Sequence, residues 1–153
     1  DAAIDAWLVQ SQQSHNQTTD IAGHAQATGL GHWAIVLANQ SHTNTAAPFG
    51  YVKLIEVPDL TGVHEVELGI RLLPSGWGQG FAFEACAAVI AQLWATTGKD
   101  RVLGIVDPHN QRSVSLLQRL GMIYERDISF PGYDYPDHLY VLTRPKALES
   151  NTP

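Results

Sequence analysis

Trp77-Gly78-Gln79-Gly80-Phe81-Ala82-Phe83-Glu84-Ala85 is the stretch that decides the fold, because small residues recur at positions 78, 80 and 82 between an apolar strand and a helix. Without bulky side chains there, an anion can approach the backbone N–H groups and the positive end of the helix. The spacing fits neither a P-loop, which ends in Gly-Lys-Ser/Thr, nor the dinucleotide fingerprint, which requires a small residue where Phe83 stands. On spacing alone, a phosphate-binding loop and a tight strand-to-helix turn are equally acceptable interpretations.

A second motif follows an apolar strand at 101–106. Residues 107–122 read Asp-Pro-His-Asn-Gln-Arg-Ser-Val-Ser-Leu-Leu-Gln-Arg-Leu-Gly-Met, which gives the order strand, Asn, helix, Leu-Gly. Together with Glu67-Leu68-Gly69, the two motifs resemble the GNAT superfamily of acyl-CoA-dependent N-acetyltransferases. They are most similar to its RimJ/RimL-like branch of ribosomal-protein acetylases, in which Trp is usual at the first loop position. The resemblance covers about residues 30–145.

The fold implied by this resemblance is mixed α+β, with a GNAT-like, mostly antiparallel sheet flanked by helices. A splayed pair of parallel strands would form the acyl-CoA cleft. Apolar alternation and helical periodicity predict strands at 32–38, 49–57, 64–72, 101–106, 123–129 and 138–143, and helices at 79–97 and 111–120. GNAT proteins usually open with a strand, whereas residues 2–9 have a helical pattern. Either the sequence is a fragment, or the protein lacks its first strand. In the second case we expect a bare sheet edge, which a homodimer could use.

Composition predicts a single domain over residues 1–153 with an apolar content of 44%. Nine Lys and Arg face fifteen acidic residues, without a basic cluster in the sequence, so nucleic acid is not expected as a partner. We find neither a long apolar run nor a basic leader, and we expect a cytoplasmic protein without membrane contact. Scattered histidines and a single cysteine, Cys86, in an apolar helical stretch predict no metal site and no internal disulfide.

The resemblance implies acetyl-CoA as cosubstrate and assigns its binding residues. The loop residues Trp77, Gly78, Gln79, Gly80, Phe81 and Ala82 would hold the pyrophosphate, and the backbone edge at Ile70 and Leu72 would pair with the pantetheine amides. Asn110 would bond a pantetheine amide, and Ser113 would contact CoA. Arg112 would reach a phosphate, or would be a solvated helix arginine. Gly69 would permit a bulge near the thioester.

The chemistry that the resemblance implies is direct attack of an amine on the thioester, which requires a general base and a proton donor. Strand alternation places Glu65 and Glu67 on one face, and Glu67 is the first choice as base because it matches the family's Glu-x-Gly pattern. Glu67 could instead be an edge-strand carboxylate that orients structure or an acceptor ammonium. The tyrosine that many relatives use as acid would fall at Leu117. Ser113 is therefore expected either to cap the helix or to donate a proton.

The acceptor is expected to be a primary amine, either a protein N-terminus or a small polyamine-like or aminoglycoside-like molecule. The polar segment at 11–31 and the loop at 130–138 are the expected acceptor regions, with Tyr133, Tyr135 and His138 as candidate contacts. A solvated hairpin explains the loop equally well. Because the usual tyrosine is absent, a catalytically degenerate acyl-CoA-binding sensor or interaction module is the alternative function.

Overall fold

The architecture, a seven-stranded mixed sheet with helices, comes from a computed structural model that describes residues 9–10, 30–37, 47–57 and 65–146. In chain order the elements are β1 (Val9–Gln10), β2 (Gly31–Ile35), β3 (Gly50–Val57), β4 (Glu65–Leu72), α1 (Phe81–Thr96), β5 (Arg101–Val106), α2 (Gln111–Arg119), β6 (Ile123–Ile128) and β7 (Asp137–Thr143). The strand order is β1-β2-β3-β4-β5-β7-β6, and only β4 and β5 are parallel. The predicted fold class is confirmed.

Helix α1 begins two residues later than predicted, at Phe81 rather than at residue 79. The reason is Gly80, whose φ of 85° is left-handed and ends the preceding loop instead of continuing a right-handed helix. Strands β3 to β7 lie within one residue of the predicted bounds, because each combines an alternating or continuous apolar pattern with flanking turn residues.

The outer edge of β2 is paired with another strand, whereas a bare edge was expected. Val9 and Gln10 form a two-residue strand that pairs antiparallel with Ala34 and Trp33. Val9 was predicted to end a helix, so this part of the prediction is wrong. The absence of the family's usual first strand stays a prediction, since residues 1–8 lie outside the described residues, as does most of the polar segment at 11–31.

The main core lies on the face of the sheet that α1 and α2 cover. Helix α1 contributes Ala85, Cys86, Val89, Ile90 and Leu93, which pack with buried residues of β2 to β5. Burial raises the pKa of the Cys86 thiol to about 12, so this cysteine is a small core side chain. A second apolar cluster of Leu103, Ile128, Leu139 and Val141 lies on the opposite face.

The centre of the sheet opens where the two parallel strands separate. Strands β4 and β5 pair only at Val66 with Val102 and at Glu67 with Leu103. Beyond these pairs β4 continues to Leu72 without β5, and the gap faces the start of both helices. Strands that diverge at their carboxyl ends leave a crevice for a ligand. Within the described ranges, no helix is long and apolar enough to cross a membrane.

Candidate active site

The loop between β4 and α1 is held in place by its own side chains. The Trp77 indole N–H donates to the carbonyl of Leu72 at 3.1 Å, and the Gln79 amide donates to the carbonyl of Ser75 at 2.7 Å. Trp77 anchors the loop to the end of β4 and lines the cavity there, whereas the side chain of Gln79 does not line it. Of the predicted loop residues, Gln79 is therefore the one that does not lie at the cavity wall.

The two glycines of this loop expose the backbone. Gly78 and Gly80 have φ values of 73° and 85°, and a Cβ at either position would meet no atom within 4 Å. No side chain of the described residues caps α1, whose first helical bond runs from the Glu84 N–H to the Gly80 carbonyl. In the described part of the chain, no group accepts from the backbone N–H groups of residues 78–83. Unpaired donors at the positive end of a helix are an arrangement that favours an anion.

The cavity at this loop, here called the loop cavity, has a volume of about 960 Å³. Three arginines line it, Arg71, Arg112 and Arg119, and none of its described wall residues is acidic. They are three of only nine basic Lys and Arg residues in a chain of net charge −6. The sequence showed no basic cluster because these arginines lie on β4 and on two turns of α2, and only the fold brings them together.

Two of these arginines pack on aromatic rings. The guanidinium carbon of Arg112 lies 4.6 Å from the ring centroid of Trp77, and that of Arg119 lies 4.9 Å from the ring of Phe83. Cation–π contacts of this kind restrain the long side chains at the cavity wall. Sequence reasoning missed Arg71, Arg119 and Phe83, although the i, i+7 spacing of the two helix arginines places them on one face.

The start of α2 forms the opposite wall. Asn110 is the N-cap, and its Oδ1 accepts from the Ser113 backbone N–H at 3.2 Å. The capping role that was one expectation for Ser113 therefore belongs to Asn110. Both residues line the loop cavity and also a second cavity next to it.

This second cavity, here called the strand cavity, has a volume of about 460 Å³. It shares five wall residues with the loop cavity, namely Ile70, Arg71, Asn110, Ser113 and Leu116. Its other walls carry His32, Tyr51, Lys53, Glu67, Gly69 and Asp107. Of the predicted residues, Ile70, Asn110 and Ser113 thus lie on the wall that the two cavities share, and Glu67 lines the strand cavity alone.

Glu67 is ion-paired inside the strand cavity. Lys53 Nζ lies 3.3 Å from Glu67 Oε2, and the two side chains are 27% and 19% exposed. The Lys53 stem crosses the position that a Cβ of Gly69 would occupy. Strands β3 and β4 pair through Lys53 and Gly69 without a register shift. The expected bulge at Gly69 is therefore absent from the pairing of β4 with β3. The glycine makes room for the lysine instead.

Glu65 has a different environment from Glu67. Its side chain is 1% exposed, and Arg101 Nε lies 2.9 Å from Oε1 without hydrogen-bond alignment. The same guanidinium donates to both carboxylate oxygens of Glu125 at 3.1 Å. Glu65 lines neither cavity. Its contacts are those of a structural ion pair, which argues against the predicted catalytic use.

Comparison with known proteins gives the family. The profile described as "Acetyltransferase (GNAT) domain" matches residues 1–123. The chain belongs to the GNAT acetyltransferase family. It is thus an N-acetyltransferase by family, which agrees with the resemblance of the two motifs.

Solved structures of GNAT proteins share the fold. Ribosomal-protein-S5-alanine acetyltransferase from Vibrio fischeri has a TM-score of 0.65 at 17% identity, over 83% of this chain and 67% of that one. RimJ from Mycobacterium smegmatis in complex with CoA-disulfide has a TM-score of 0.62 at 18% identity, over 80% and 57%. A variant of spermidine N-acetyltransferase from Vibrio cholerae has a TM-score of 0.60 at 16% identity, over 80% and 69%. At these identities the likeness shows the fold alone.

The position of the tyrosine acid found in many GNAT proteins is occupied here by a core residue. Leu117 is 7% exposed and packs on Gly104, where a Cβ would lie only 2.8 Å from a Leu117 methyl group. The side chain therefore packs between α2 and β5, and Leu117 also lines the strand cavity. Of the two serines of α2, Ser113 lines both cavities, whereas Ser115 lines only the loop cavity.

The β6–β7 loop reaches the strand cavity only indirectly. The Tyr135 hydroxyl donates to Asp107 Oδ2 at 3.1 Å, and its ring lies 4.7 Å from that of His109. Asp107 lines the cavity, and the backbone N–H of His109, at 2.8 Å, is the main cause that lowers its carboxyl pKa. The bond to Asp107 in turn raises the pKa of Tyr135. Tyr135 therefore fastens the loop to the end of β5.

The other two candidate acceptor residues are placed elsewhere. Tyr133 is 72% exposed and packs on Phe130, and His138 lies 3.6 Å from Asp127 with its ring beside Tyr124. Neither lines the loop cavity or the strand cavity, and Tyr135 does not either. The fold thus does not bring the three predicted acceptor residues together in a cavity. No group of three or more metal-binding side chains occurs among the residues that the structure describes.

Proposed function

We propose that the protein transfers an acetyl group from acetyl-CoA to a primary amine in a ternary complex. One observation carries the proposal. A cationic cavity with free backbone donors adjoins a second cavity that contains a carboxylate, and they meet where β4 and β5 separate. A donor and an acceptor that enter from these two sides would meet at Asn110 and Ser113.

The loop cavity fits the phosphates and pantetheine arm of CoA. Gly78 and Gly80 leave open space above free N–H groups, and the three arginines supply positive charge. The unpaired part of β4 from Ile70 to Leu72 offers a strand edge to the pantetheine amides. Asn110 uses Oδ1 for its cap, so its amide hydrogens are available for the same arm. When bound, acetyl-CoA supplies the activated thioester.

Glu67 is the base in this proposal. It lies in the strand cavity, takes a proton from the acceptor ammonium, and passes it to solvent through the one-fifth of its side chain that is exposed. The neutral amine then attacks the thioester carbonyl directly. Ser113, on the common wall, is placed to give or relay a proton to the departing thiolate.

The acceptor is proposed to be a protein N-terminus or a small amine. Solved relatives named as a ribosomal-protein-alanine acetyltransferase and a spermidine N-acetyltransferase support these two classes. The strand cavity carries side chains of both charges, which suits a polar amine. The second candidate is an acyl-CoA sensor without turnover, which the burial of Leu117 at the position of the usual acid favours.

The test is an assay of thiol release from acetyl-CoA with a panel of peptides and small amines, combined with calorimetry of CoA binding. We expect CoA to bind and at least one amine class to be acetylated. CoA binding without turnover of any amine would establish the sensor instead, and failure to bind CoA would exclude both functions.

A further inference from the structure

Lys53 presents an amine inside the cavity where the acceptor amine is expected. Its Nζ lies 3.3 Å from Glu67 Oε2, in the same relation to the proposed base that an incoming ammonium would have. Both side chains line the strand cavity, next to the wall that this cavity shares with the loop cavity. The enzyme thus carries a potential acceptor within its own site.

The chain contains an internal comparison for this lysine. Its lysines are Lys53, Lys99 and Lys146. Lys99 resembles Lys53 in two respects, because it is ion-paired to Glu56 at 2.6 Å and its side chain is 29% exposed, against 27% for Lys53. Lys99 lines neither cavity. The two lysines therefore differ in their position relative to the site, and much less in pairing or exposure.

We propose that Lys53 is a site of autoacetylation within the same molecule, an inference that rests on the proposed function. Glu67 takes a proton from the Lys53 ammonium, and the neutral Nζ attacks the carbonyl carbon of acetyl-CoA. A C–N bond forms, the C–S bond breaks, and CoA leaves as a thiolate that takes a proton. The products are Nε-acetyl-lysine, CoA and one proton released to solvent, so atoms and charge balance.

Gly69 leaves room for the Lys53 side chain to reach Glu67. The Lys53 stem lies across Gly69, and its γ carbon is 2.9 Å from the position of a Cβ there, so only glycine allows this path. Acetylation removes the positive charge beside Glu67 and adds the volume of an acetyl group to the strand cavity. The modified enzyme is then expected to acetylate external amines more slowly, because its own acetyl-lysine occupies the acceptor volume.

The test uses the full chain and acetyl-CoA with an isotopically labelled acetyl group, without an external amine. Peptide mass spectrometry follows the three lysines with time. Because a positioned general base contributes roughly 10²–10⁴-fold, we expect Lys53 to be labelled at least about 100-fold faster than Lys99. The rate constant should not change with protein concentration, since the reaction is intramolecular. Equal labelling of Lys53 and Lys99 would show only chemical acetylation and would overturn the proposal.

Two variants separate the site from general reactivity. Glu67→Gln should slow labelling of Lys53 and leave that of Lys99 unchanged, and Lys53→Arg should reduce total incorporation to the level of Lys99 and Lys146. Circular dichroism and CoA calorimetry check that each variant is folded and binds CoA. If the wild-type chain acetylates external amines while Lys53 stays unlabelled, this inference fails and the proposed function stands. If CoA does not bind, both fail.

Discussion

Gly80→Glu is the sharpest test of the proposed anion site, because it places a carboxylate among the free N–H groups at the start of α1. Gly80 has a φ of 85° and open space around its Cβ position, so the new side chain meets no steric block. A charge about 5 Å from a phosphate at an effective dielectric of about 20 costs about 3 kcal/mol, less where solvent screens it. A loss of about 2–3 kcal/mol corresponds to roughly 30- to 150-fold weaker CoA binding.

The matched control is Gly132→Glu. Gly132 has a φ of 88° and equally open surroundings, and it lies in the β6–β7 loop, away from the loop cavity. Both variants therefore suffer the same backbone strain, about 1–2 kcal/mol for a left-handed residue with a side chain. Calorimetry with CoA should show the loss of affinity only in Gly80→Glu, and similar thermal unfolding in both. Equal affinity of the two variants would refute the anion site.

Three further predictions concern the acidic residues and the cysteine. Glu67→Gln should lower kcat more than it raises the KM for acetyl-CoA. Glu65→Gln should lower the free energy of unfolding by about 1–3 kcal/mol, with a smaller effect on kcat, because it disturbs a buried ion pair. Steady-state kinetics and denaturant titration distinguish the two variants, and the opposite pattern would exchange the roles of the two residues. Tyr135→Phe should raise the pKa of the Asp107 carboxyl part of the way to its usual 3.8, as carboxyl NMR can measure. The pKa of Asp107 is lower in the folded than in the unfolded protein. Its contacts therefore stabilise the fold above the ordinary pKa of the carboxyl, and this stabilisation is lost as the pH falls through the folded-state pKa. An unchanged Asp107 pKa in Tyr135→Phe would contradict the hydrogen bond between the two side chains. Cys86, with a pKa near 12, should not react with a thiol reagent at pH 8 until the protein unfolds, and rapid labelling of the native protein would be inconsistent with its burial.

The sequence predicted local structure well where pattern and turn chemistry agree. Strand β5 has its predicted bounds of 101–106, because a short apolar run is followed by Asp107-Pro108. The start of α1 was misplaced because helical periodicity does not reveal the left-handed φ of Gly80.

The site was harder to predict, because its key contacts join residues that are distant in sequence. Strand alternation places Glu65 and Glu67 on one face of β4. It does not show that β5 brings Arg101 next to Glu65, or that β3 brings Lys53 next to Glu67. The position of Lys53 beside the site could have been predicted from the sequence, by pairing the two predicted strands in the antiparallel register that places Lys53 opposite Gly69. The bond between Tyr135 and Asp107 depends on how a long loop folds back, which no local pattern encodes.

Helix α1 begins without a capping side chain from the described residues, so CoA bound as proposed would complete the start of the helix. The phosphates would supply the acceptor atoms that a Ser or Asp side chain provides in other helices. Bound CoA should then slow hydrogen exchange at the N–H groups of residues 81–83 and raise the melting temperature in proportion to the logarithm of its concentration. The free energy of unfolding of this protein would therefore rise with the concentration of CoA around it.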